Sequence, residues 1–284
     1  MEAQNYMIRT TPERICCYAK QRIPFQPKGW KRELRDALRQ QVRALHALPG
    51  HGLYARYSSA YSSFCDVENV LLYNIGASSF ANTCQQYLAF ERAFALQSMP
   101  EMPHQYRYEI CVADTDNLLW QPKVTLCTLH DIPIPSLNTS TKPHDVWWAI
   151  KTAQGKISRH AVQPYYGHCG ISLRLSVPAN KAHNIASFLK PLLDGLLCAF
   201  HVHEGEFASH VLSRLRALLD APAAELSAAL SDDAQAVLGA RNLISSFRSG
   251  IKWNPADENC VSVKISLHPH DSNTYTLSGT LDTV

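Results

Sequence analysis

Apolar residues recur at three- and four-residue intervals from Trp30 through Leu34, Leu38, Val42 and Leu45 to Leu48. That spacing predicts an amphipathic helix over 30–48, stopped by Pro49-Gly50. Arg32, Arg35, Arg39 and Arg43 fall on a different face and make the helix basic. Upstream, Pro12, Pro24 and Pro27 predict irregular chain over 1–28. Residues 51–63 are rich in Gly, Tyr and Ser and read as a loop. Asp66–Ile75 is an apolar segment with a polar start, closed by Gly76. Tyr87, Phe90 and Phe94 give 81–96 a helical spacing that ends before Pro100.

Period-two alternation marks strands at Tyr106–Val112, Lys123–Leu129, Gly170–Val177 and Val261–Leu267. A turn is expected at Asp116-Asn117, and Tyr275–Leu281 is expected to pair with the strand before it. Helices are expected at 145–153, from Asn180 to about Phe200 with Pro191 as a kink or restart, and through most of 206–239. The last is broken at Pro222, with Ser231 as a cap and Gly239 as a stop, and 240–259 reads as irregular. Helix first, strands centrally, then helices and strands again argue for an α+β fold. The expected architecture is an antiparallel or mixed central sheet with several flanking helices and the basic amphipathic helix near the N-terminus. No fixed-period repeat is found. Residues 1–284 read as one domain, with the Pro/Ser/Thr-rich loop 132–143 as the candidate sub-boundary.

Composition narrows the class. With 46% hydrophobic and 18% charged residues in 284, the chain is not of the disordered type. No apolar run is long enough for a membrane-spanning helix, and Met1–Thr10 is polar without a signal-peptide core. Nine cysteines without a C-x-x-C pair point to reduced thiols rather than a disulfide framework or a zinc site. A cytoplasmic protein of bacterial type with no membrane association is the expectation.

The net charge of +3 conceals an asymmetry. Residues 1–60 carry eleven Lys/Arg against four acids, or +7, which leaves −4 for the remainder. A basic segment on an acidic body points to nucleic acid or an acidic protein partner, and it also fits an ordinary solvated helix face.

Four motifs carry candidate chemistry. Asp66-Val67-Glu68-Asn69 puts several oxygen ligands within reach of one hard cation, and it equally suits helix capping. Lys190 and Asp194 interrupt an apolar run, which is costly unless they pair with each other at i,i+4 or do chemistry. His201-Val202-His203 would share a face on a strand, or form a polar turn at a helix end. Arg248–Cys260 mixes cations, Trp253, Asn and acids in a loop; Arg248 and Lys252 suit phosphate and Trp253 suits base stacking, while Asn254-Pro255 and Asp257 suit turns.

The first two motifs together resemble the acid-x-acid-Asn and Lys-x-x-Leu-Asp elements of phage-type Holliday-junction resolvases. Asp66, Glu68 and Asn69 match one, and Lys190, Leu193 and Asp194 the other. The elements are contiguous in that family and lie about 120 residues apart here, from Asn69 to Lys190. The resemblance covers about a dozen residues and does not amount to membership.

The leading expectation is a phosphodiesterase or nuclease dependent on Mg²⁺ or Mn²⁺. Asp66, Glu68 and Asp194 would hold the metal, and Lys190 would stabilise charge developing on phosphate. Arg32, Arg35, Arg39, Arg43, Arg248, Lys252 and Trp253 would contact nucleic acid. The alternative is a non-catalytic binding or assembly subunit whose basic N-terminal surface docks nucleic acid or an acidic partner. The convergence of Asp66, Glu68 and Asp194 in space discriminates the two.

Overall fold

A computed structural model describes residues 4–59, 65–94, 101–115, 118–206 and 208–284. The first part of the chain forms β1 (Tyr6–Thr10), β2 (Arg14–Ala19), α1 (Trp30–Ala44), β3 (His51–Ser59), β4 (Tyr87–Phe94) and β5 (His104–Val112). The second part forms β6 (Val124–Ile134), α2 (Pro143–Lys151), β7 (Ile157–Arg159), β8 (Cys169–Pro178), α3 (Ile185–Ala199), α4 (Ser209–Leu219) and α5 (Ala223–Ser231). It ends with β9 (Ile244–Phe247), β10 (Gly250–Trp253), β11 (Cys260–His270) and β12 (Tyr275–Thr283).

Ten strands make one mixed sheet in the order β1-β2-β5-β3-β4-β11-β8-β12-β6-β7, and β9 and β10 form a separate hairpin. This is an α+β fold with a mixed sheet. The order contains a repeat. Outward from the central antiparallel pair β4/β11, β4 is parallel to β3, β3 antiparallel to β5, and β5 antiparallel to β2. On the other side β11 is parallel to β8, β8 antiparallel to β12, and β12 antiparallel to β6. Apart from the edge strands β1 and β7, each half therefore runs strand, helix, strand, crossover, strand, strand, and the halves are related by a pseudo-twofold at β4/β11. Of the loop expected at 132–143, residues 132–134 belong to β6 and Pro143 starts α2, so 135–142 join the two inside the second half, where 20–29 join β2 to α1 in the first.

One continuous apolar core joins the sheet to the helices. Leu53, Ala55, Leu88 and Phe90 belong to it, whereas Tyr54, Tyr87 and Ala89 form a separate small cluster. Alternation along β3 and β4 places the two sets on opposite faces of the sheet. On the second face, buried Glu91 accepts hydrogen bonds from Tyr54 Oη and from the backbone amides of Leu119 (2.8 Å) and Trp120 (3.3 Å). Helix α1 buries Leu34, Leu38 and Val42, each contributing about 1.5–3 kcal/mol. Gly195 lets α3 meet α2, because a Cβ there would lie 2.4 Å from the Pro143 carbonyl.

Several expected elements differ. Residues 1–28 contain the β1–β2 hairpin, with Ile15, Cys17 and Ala19 inward. Residues 51–59 are strand β3 rather than loop, and 87–94 are strand β4 rather than helix. Both are central strands with apolar residues on both faces, which erases the period-two signal. The helix over 30–48 ends at Ala44, and Leu48 is exposed. Strand β12 pairs with β8 and β6, not with β11. Ser231 ends α5 instead of capping a further helix, and 240–259 contains the β9–β10 hairpin. The cap of α3 is Asn184, whose side chain accepts from the Ala186 amide at 3.2 Å, and the helix continues through Pro191. Asp116-Asn117 lies outside the described residues, as do Tyr61 and Phe64 of an aromatic run that continues from Tyr54 and Tyr57. All nine cysteines are free thiols, and among the described residues no helix is long and apolar enough to cross a membrane.

Candidate functional site

The crossover of the first half starts beyond β3 and brings Asp66 to the head of a single π-helical turn, Asn69–Tyr73. Asp66 caps this turn: Oδ1 accepts from the Asn69 amide at 3.1 Å, and Oδ2 accepts from the Asn69 side chain. Val67 and Val70 to Leu72 are buried, which turns Glu68 inward until it is 5% exposed. The crossover of the second half contains α3, which carries Lys190 and Asp194 one turn apart, both partly exposed beside the buried Leu189, Leu192, Leu193 and Leu197. The polar loop before β11 supplies a fifth residue. There Ala256 adopts the left-handed conformation (φ 55°), uncommon for a residue with a side chain, and Asp257 follows it.

These three segments converge on the Lys190 ammonium. Lys190 Nζ lies 2.9 Å from Asp66 Oδ2, 2.9 Å from Asp194 Oδ1, 2.5 Å from Asp257 Oδ2 and 3.8 Å from Glu68 Oε2. Four carboxylates around one ammonium leave a formal excess of three negative charges, and burying that excess is costly unless protons are retained. Burial, reinforced by a hydrogen bond with Asp257, raises Asp66 to about 7. Burial raises Asp194 to about 6 against the pull of Lys190, and burial and Asp66 push Glu68 well up. Burial alone would raise Asp257 as well, but the hydrogen bond from Asp66 and the Lys190 charge outweigh it and hold Asp257 below the usual carboxylate range. The contact between Asp66 and Asp257 thus shifts the two in opposite directions, Asp66 up and Asp257 down. Burial works against the Lys190 ammonium, but the surrounding acids raise it further.

Two spaces adjoin the cluster. A small pocket of about 10 Å³ is lined by all five residues together with Val67, Phe90 and Leu193; that is about the space one water-sized sphere occupies. On the outer side a cleft of about 650 Å³ is lined by Asp66, Asn69, Lys190 and Asp194 on one wall and by Arg22 and Phe25 on the other. Tyr73 also lines it. The Phe25 and Tyr73 rings stack at 5.5 Å, almost parallel at 8°, and are 59% and 48% exposed.

Of the residues expected to do chemistry, Asp66, Glu68, Lys190 and Asp194 are brought together. The expected contact residues lie elsewhere. Arg35 and Arg39 engage Asp36, and Arg39 Nε donates to the Ile75 carbonyl behind the cleft wall. Arg32 and Arg43 are exposed on α1. Arg248 takes the left-handed turn of the β9–β10 hairpin and lies over the Phe247 ring, while Lys252 is exposed on β10. The Trp253 ring packs on Trp147 at 5.4 Å and joins the core. None of these seven lines the cleft. His201 bonds the Gly239 carbonyl and His203 accepts from the Leu243 amide, so both imidazoles fasten the chain before β9.

Sequence reasoning missed Asp257 as a member of the cluster, and it missed Arg22, Phe25 and Tyr73 as cleft residues. Asp257 sits in a polar loop where an acid is unremarked, and no spacing links it to Asp66. Among the described residues no group of three or more Asp, Glu, His or Cys is placed to hold a metal ion as the side chains stand, because the carboxylates face the ammonium. No protein-family model, curated protein or solved structure matches the chain.

Proposed function

We propose that the cleft is the active site of a phosphodiester hydrolase acting on nucleic acid with the help of Mg²⁺ or Mn²⁺. One observation carries the reading: four carboxylates from three distant segments meet around Lys190 at the foot of an open cleft, with more negative charge than the ammonium can balance. A hard divalent cation held by Asp66, Glu68 and Asp194 would supply that balance and polarise a phosphate oxygen. Hydrolysis breaks one P–O ester bond, puts the hydroxyl of water on phosphorus and delivers a proton to the leaving oxygen. Asp257, held below the usual carboxylate range, is the carboxylate suited to take the proton from water; Asp66, as a ligand of the cation, would be ionised, so solvent water is the source of the proton for the leaving oxygen. Lys190 offers positive charge to the developing phosphate charge. Arg22 and the exposed Phe25–Tyr73 pair support a nucleic-acid substrate, the one suited to phosphate and the other to a base.

The test is cleavage of labelled single- and double-stranded DNA and RNA in Mg²⁺ or Mn²⁺. Asp66→Asn and Asp194→Asn are expected to lower the rate by at least about a hundredfold with unfolding temperatures kept near wild type. Absence of cleavage of all four substrates by the wild-type protein would refute the proposal.

The exposure of Arg32 and Arg43 on α1 favours a second reading, a binding subunit that docks nucleic acid or an acidic protein on that helix. Charge reversal there would then abolish binding while substitutions in the cleft leave it intact.

A further inference from the structure

We propose that Lys190 is the resting counter-ion of a divalent-cation site, and that the cation binds by taking its place. The inference rests on the metal-assisted reading above and adds how the site is held before loading.

An ammonium has three N–H donors. Here two carboxylates accept from Nζ, Asp66 Oδ2 at 2.9 Å and Asp257 Oδ2 at 2.5 Å, while Asp194 Oδ1 is ion-paired at 2.9 Å without a hydrogen bond. Two acids, Asp194 and Glu68, are left with a buried oxygen that no hydrogen bond satisfies. Glu68 Oε2 is buried 3.8 Å from the nitrogen, beyond hydrogen-bond distance, and has no hydrogen-bond partner. A buried carboxylate oxygen without a partner is expensive, and natural structures rarely keep one without a purpose. Both residues line the small pocket of about 10 Å³ that the other three also line. One tenant therefore hydrogen-bonds only two of four acids beside a space of about one water. A hard divalent cation, with about six oxygen ligands and twice the charge, can satisfy all four and still keep water or a substrate oxygen.

Lys190 also has somewhere to go. Its side chain is 24% exposed and lines the outer cleft as well as the small pocket. A four-carbon stem turns without any change in the helix that carries it. The exchange moves the ammonium into the cleft, where a substrate phosphate would meet it, and explains why the carboxylates are not arranged as an empty cage.

The full-length chain is titrated with Mn²⁺ by electron paramagnetic resonance, wild type beside Lys190→Met. Removing the competing ammonium is expected to tighten Mn²⁺ binding by at least about tenfold, and adding Glu68→Gln to Lys190→Met is expected to reverse the gain. Equal or weaker binding by Lys190→Met overturns the inference while leaving metal-assisted cleavage in place. Failure of both proteins to bind Mn²⁺ overturns both. Since Lys190→Met leaves acids unbalanced, a second measurement uses the wild type alone. Amine-reactive labelling read by mass spectrometry is expected to modify Lys190 several-fold faster with Mg²⁺ than with EDTA; protection unchanged or increased by Mg²⁺ overturns the exchange.

Discussion

Neighbouring, largely buried carboxylates are costly to ionise together, and in this cluster burial pushes three of the four upward. Asp66 is raised from 3.8 to about 7 and Asp194 from 3.8 to about 6. A carboxyl raised on folding keeps its proton in the native state where the unfolded chain has lost it. Stability from these groups therefore falls as pH rises, from about 4 to about 7 for Asp66 and from about 4 to about 6 for Asp194. Thermal unfolding of the metal-free protein in EDTA should show this decline, and Asp66→Asn, which has no proton to release, should make it shallower by removing the Asp66 share. An unchanged slope in Asp66→Asn would mean the proton resides elsewhere. Four of these residues are conspicuous in the sequence for a physical reason. Asp66 and Glu68 head an apolar segment, and Lys190 and Asp194 interrupt another, so their charge is locally out of place. Asp257 is locally in place among Asn254, Glu258 and Asn259, and only the folded chain gives it company.

Elements were legible where one face is buried and the other wet. Helix α1 announces itself because Leu34, Leu38 and Val42 alternate with arginines at the helical period. Strands β3 and β4 do not, because the sheet encloses them on both sides and polar punctuation disappears. The loop 20–29 carries no periodicity, yet it supplies the outer wall of the cleft through Arg22 and Phe25. Loop and helix make separable contributions. Phe25→Ala with Tyr73→Ala should weaken binding of a single-stranded oligonucleotide by about 1–3 kcal/mol, the range for losing base stacking. Arg32→Glu with Arg43→Glu should instead lower the salt dependence of binding by roughly one to two in log–log slope. Fluorescence anisotropy across a salt series separates them. If only the arginine variant matters, nucleic acid docks on α1 and the cleft is not its main seat.

At the scale of the whole molecule, the pseudo-twofold at β4/β11 organises everything. It was invisible in the chain because the halves share strand pairing rather than residues, and their crossovers have diverged. One crossover is a capped π-helical turn carrying Asp66 and Glu68; the other holds α3 with Lys190 and Asp194, and ends near Asp257. Pairing specifies the sheet, while the two crossovers specify opposite partners in one charge cluster.

That division has a consequence for complementation. A break at Gln121–Pro122, in exposed chain between β5 and β6, separates the halves along the repeat. The fragment 1–121 then owns acids without their counter-charge, and 122–284 owns the lysine without half its acids. Neither should cleave alone, and each presents a long unpaired central edge, β4 or β11. Mixed or co-expressed, they should zip through that edge and recover cleavage that rises with the concentration of each. Silent fragments that associate without activity would mean that covalent continuity, and not merely pairing, sets the register of the site. Recovery would make the protein a two-key lock, turned only when both pieces share a cell.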